Sequence, residues 1–113
     1  MVQQMISEIR TPEMAEARDF CGSRAYGSPT DLENVGEERR MLFRVLWVIE
    51  QANFLYDGLV DDVARRDLRR GMGAWVSWCA EHLPDIAESI DKNLDAEREL
   101  NIARELAGKL SPT

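Results

Sequence analysis

Cys79 and His82 are the residues with the most chemical potential. They stand three apart in Cys79-Ala-Glu-His82. On a helix that spacing puts a thiol and an imidazole on one face, where the imidazole could take the thiol's proton and leave a nucleophile. No orienting third residue and no substrate-shaped loop accompany them. The structural alternative is a histidine at a helix end, where the helix dipole favours a cation. Cys21, Cys79, His82 and one acid could be offered to zinc, but structural zinc ligands come as close pairs, and no such pairs occur. Nor does the chain contain a glycine-rich phosphate loop, a nucleophile elbow or a metalloprotease pattern. The sequence therefore predicts no catalytic residue, no cofactor and no metal. A thiol enzyme or sensor using Cys79 stands as an alternative.

Charge is the next resource. The window 85–99 holds Asp85, Glu88, Asp91, Asp95, Glu97 and Glu99 against Lys92 and Arg98. This is either a solvated helix face or a surface that meets an arginine-rich partner in place of a phosphate backbone. The acids follow a helical period without the glycine turn of a calcium loop. Arg65, Arg66, Arg69 and Arg70 form the one basic cluster, interleaved with Asp61, Asp62 and Asp67. The spacings Asp61–Arg65 and Asp62–Arg66 predict i,i+4 ion pairs, so the cluster reads as an acid-paired face and not a nucleic-acid patch. Trp47, Trp75 and Trp78 read as packing anchors. Alternatively, a Phe43/Trp47/Phe54 stripe stays exposed and forms an interface, since tryptophan is favoured at binding hot spots.

The whole chain sets limits on these readings. It has 113 residues, a formal net charge of -7 and 44% hydrophobic residues. That is one domain with one core, 1–113. An acidic chain is a poor ligand for DNA, RNA or anionic membranes, so a protein partner with a basic surface is the expectation. Met41 to Ile49 is the longest apolar run and Arg44 interrupts it, far short of the roughly 20 residues a membrane span needs. No signal peptide is visible, and two distant cysteines do not make a disulfide scaffold. A cytoplasmic protein with two reduced, buried thiols is predicted.

The apolar spacing of three and four predicts helices throughout. Val2, Met5, Ile6 and Ile9 mark a short first helix. Thr11-Pro12 looks like a cap followed by proline at the first helical position, opening a helix to about Ala25. Gly27-Ser28-Pro29-Thr30-Asp31 reads as a loop, with one short turn over 32–35. A helix of about 37–57 stops at Gly58 and carries two apolar stripes. One comprises Met41, Leu42, Val45, Val48, Ile49, Ala52, Leu55 and Tyr56; the other, Phe43, Trp47 and Phe54. Such a helix is expected to be central and mostly buried. Asp61 caps the next helix, which is expected to end before Pro84. Gly71 and Gly73 inside it suggest a close approach or a bend. Pro84 then opens the last helical stretch, whose stripe changes phase near Asp95. That predicts a break or two different packing partners.

The segments TPEMAEARDF at 11–20, a long central helix with Glu50, YDGLVDDVARRDL at 56–68 and a tryptophan-bearing helix to His82-Leu-Pro-Asp-Ile86 together resemble a bacterial family of small helical domains of unknown function. Those domains often sit behind a membrane anchor; this sequence has no membrane segment. The resemblance implies a helical bundle and no activity.

Taken together, the sequence predicts an all-α, compact bundle of four to six helices around a two-faced apolar helix. It acts as a non-catalytic protein–protein interaction module. The candidate partner-binding residues are Phe43, Trp47, Phe54, Asp85, Glu88, Asp91, Asp95 and Glu97, and self-association into a homodimer is open. The alternative is a phage or mobile-element inhibitor, anti-CRISPR-like, whose acidic surface covers a basic nucleic-acid-binding site.

Overall fold

Local sequence explains two of the helix starts. In the computed structural model, which describes residues 2–26 and 35–111, all regular structure is helical: α1 (Val2–Glu8), α2 (Pro12–Ala25), α3 (Val35–Gly58), α4 (Asp62–Ile90) and α5 (Glu97–Lys109). The protein is an all-α bundle of these five helices. The loop over 27–31 and the turn expected ahead of Val35 lie largely outside the described residues. Thr11 caps α2 as predicted: its hydroxyl oxygen accepts from the Met14 N–H at 3.3 Å and Pro12 takes the first helical position. The Asp61 carboxylate likewise accepts from the Val63 N–H at 2.9 Å to start α4.

One core holds the bundle. α3 and α4 are its central pair, each touching all the other helices. From α3 come Leu42, Val45, Leu46, Val48, Ile49 and Ala52; from α4, Leu68, Met72, Val76, Cys79 and Leu83. Ala103, Leu106 and Leu110 of α5 close the far side. Burying each large aliphatic side chain is worth about 1.5–3 kcal/mol. The longest dimension of the molecule, 44 Å, matches the length of α4, 29 residues at about 1.5 Å each.

Two expectations are corrected and one open alternative is decided. First, α4 does not end before Pro84 but runs on to Ile90. Proline costs a helix interior about 3 kcal/mol. Here Ile86, Ala87 and Ile90 continue the buried face of Leu83, and their burial outweighs that cost. Second, the real stop is Asp91, whose carboxylate takes the Asn93 N–H at 2.9 Å and turns the backbone away. The phase change near Asp95 is thus a break, between α4 and α5. Third, the central helix is buried on one face only. Its second stripe is split: Phe43 packs at the margin of the core, whereas Trp47 and Phe54 remain exposed.

Candidate functional site

α1 and α3 together build an open, largely apolar surface. α1 is only 7 residues long, too short to be stable alone, so tertiary contacts must hold it. Ile6 and Ile9 provide them by entering the core. Gly71 of α4 makes the room: a Cβ there would lie 2.5 Å from Ile6 Cδ1. Of the close approach or bend suggested for Gly71, the close approach is therefore the one that forms. Arg18 donates to the Ile9 carbonyl at 3.1 Å, and the Thr11 hydroxyl donates to the Glu8 carbonyl at 3.0 Å. These bonds fix the chain as it leaves α1.

With α1 fixed in this way, Gln4, Met5 and Glu8 form one wall of a groove of about 280 Å³. Trp47, Val48, Gln51, Phe54 and Leu55 of α3 form the other wall. Trp47 is 54% exposed and Phe54 81% exposed. Trp47 also borders a second hollow of about 300 Å³, shared with Thr11, Glu13, Met14 and Arg44. The indole is thus a ridge between two hollows. Carboxylates of Glu8 and Glu13 stand at the rim. An apolar floor with a polar rim is the composition of a protein-binding patch.

The acidic candidates fall on three segments, not on one final helix. Asp85 and Glu88 lie exposed near the end of α4, Asp91 and Asp95 in the connection, and Glu97 in the first turn of α5. Asp91 is engaged within the fold. Besides taking the Asn93 N–H, it pairs with the Arg39 guanidinium of α3, and these two bonds hold its carboxyl below the usual carboxylate range. Asp85, Glu88, Asp95 and Glu97 make no ion pair among the described residues.

The thiol is buried, as expected, whereas the imidazole is placed differently from either sequence reading. Cys79 is fully buried. Burial pushes its pKa up, with the neighbouring Cys21 adding to the rise and Arg18 opposing it. Burial also pushes the Cys21 thiol up, to about 12. Both cysteines are free. His82 is not at a helix end, because α4 continues past it. Its ring packs on Trp78 with centroids 4.7 Å apart. No group of three His, Cys, Asp or Glu able to hold a metal ion occurs among the described residues.

The arginine cluster also departs from expectation. Neither Asp61–Arg65 nor Asp62–Arg66 forms an ion pair. Arg65 instead lies over the Tyr56 ring, 5.0 Å from its centroid. That contact is worth about 0.5–1 kcal/mol at an exposed site. With Asp61 occupied in capping, the arginine finds more contact on the ring.

No helix among the described residues is long and apolar enough to cross a membrane. Comparisons with protein-family models, curated proteins and solved structures gave no match.

Proposed function

We propose that the protein is a non-catalytic interaction module that receives apolar side chains of a partner protein in the groove between α1 and α3. One observation carries this reading: a tryptophan and a phenylalanine stand open along the α3 wall of an apolar groove. Exposed aromatics of this size are costly to leave in water and are the residues that dominate binding energy when covered. The two reduced, buried thiols suit a cytoplasmic setting.

The test compares capture from host lysate by the wild-type chain and by Trp47→Ala/Phe54→Ala. Melting points of the two should agree within a few degrees, because both side chains are exposed. A protein retained by the wild type and lost by the variant supports the module. Identical capture profiles reject the groove as its binding site.

A second reading is favoured by the exposed, unpaired acids at one end of the bundle: an inhibitor covering a basic nucleic-acid-binding surface. Asp95→Lys/Glu97→Lys separates the two readings. Loss of capture with the groove intact favours the inhibitor; unchanged capture rejects it.

A further inference from the structure

The outward side of α4 is exposed among the described residues, and its charges are ordered along its length. Arg66, Arg70, Ala74, Ser77, Glu81 and Asp85 follow one another at spacings of about three or four, so they share one stripe, and all six are exposed. They lie opposite the buried side of Leu68, Met72 and Val76. The stripe is basic in its first third, small in the middle and acidic in its last third. Arg66, Arg70 and Asp85 make no ion pair among the described residues, and Glu81 reaches only the His82 imidazole, at 3.9 Å. Among the described residues of one copy, therefore, no Lys, Arg, Asp or Glu side chain pairs with these charges.

We propose that this face binds a second copy of the chain, with the two α4 helices antiparallel about a two-fold axis between Ala74 and Ser77. In that register Arg66 of each copy faces Asp85 of the other, and Arg70 faces Glu81. Ala74 faces Ser77, and the small side chains allow close approach at the crossing. A two-fold interface requires a surface complementary to itself, and a stripe with opposite charges at its two ends meets that requirement. A parallel pair would set arginine on arginine and acid on acid. The contact leaves the α1–α3 groove free, so it is independent of the function proposed above.

Sedimentation of the full chain from about 1 to about 200 µM tests this, the range in which a modest, polar interface associates. The wild type should show a monomer–dimer equilibrium. Arg66→Glu/Arg70→Glu should weaken the dimer at least about tenfold, and Glu81→Arg/Asp85→Arg equally. Mixing these two variants should restore association as a heterodimer, the acidic face of one meeting the basic face of the other. A chain with all four substitutions carries the pairs in reverse and should dimerise again, which separates lost pairing from lost folding. A monomer throughout the range, a dimer indifferent to both reversals, or no recovery on mixing would overturn the proposal.

Discussion

Gly71 leaves the space that Ile6 fills: a Cβ at position 71 would stand 2.5 Å from Ile6 Cδ1 and 2.8 Å from Ile6 Cγ1. This one absent side chain lets α1 lie against α4 and so supply a wall of the apolar groove. Gly71→Leu should therefore expel Ile6 and unseat α1. Overpacking of this kind costs about 1–3 kcal/mol. The expected result is a lower melting temperature with early loss of amide-exchange protection over 2–10. Unaltered protection there would mean that α1 is held without the Gly71 notch.

The sequence made the local features legible and left the non-local ones open. Thr11, Pro12 and Asp61 act through neighbours a few residues away, so their roles could be read directly from spacing. The groove formed by Trp47 and Phe54 depends on where α1 lies, which depends on Gly71, and no periodicity contains that. Leu46 and Val76 are buried although neither stood out in the stripes. Pro84 was read by its local cost alone, whereas the burial of Ile86 and Ile90 decided the outcome. The ion pair expected of Arg65 failed for a similar reason. Spacing brings charges within reach, but Tyr56, from another helix, competes for the same guanidinium.

Asp91 links three things: the end of α4, the turn through Asn93 and the start of α3 through Arg39. Its carboxyl pKa is lowered in the fold, by the Asn93 N–H first and the Arg39 guanidinium second. The stabilisation is thus fully present above the unfolded value of about 3.9 and is lost as pH falls from there through the folded value. Asp91→Asn should remove that dependence. Melting temperatures of the variant should lie below the wild type at pH 6 and converge with it toward pH 2. A constant gap between the two across this range would show that Asp91 does not act through its charge.

Cys21 and Cys79 should behave as buried, protonated thiols. With Cys21 pushed up to about 12 and Cys79 raised further by burial, almost no thiolate is present at neutral pH. Iodoacetamide at pH 7.5 should leave both unmodified in the native protein and alkylate both in denaturant, as read by intact mass. Rapid modification of native Cys79 would instead revive the thiol-dependent alternative, because it would require an opening of the bundle that exposes the sulfur.

Pro84 separates the local from the global cost of α4. Proline has no N–H to donate, so the Ala80 carbonyl one turn earlier receives no helical bond from position 84, and the ring crowds the same turn. Yet α4 passes through this position unbroken. Pro84→Ala should therefore stabilise the protein: the helix regains a bond while Leu83 and Ile86, its buried neighbours, stay in place. Alanine gains back part of the roughly 3 kcal/mol that proline costs inside a helix, less the unfolded-state entropy that proline removes. A gain of about 1–2 kcal/mol in urea denaturation is expected, with an unchanged slope, because the surface exposed on unfolding is the same. A loss of stability would mean that a proline-dependent bend in α4 is what seats Ile86, Ala87 and Ile90 in the core.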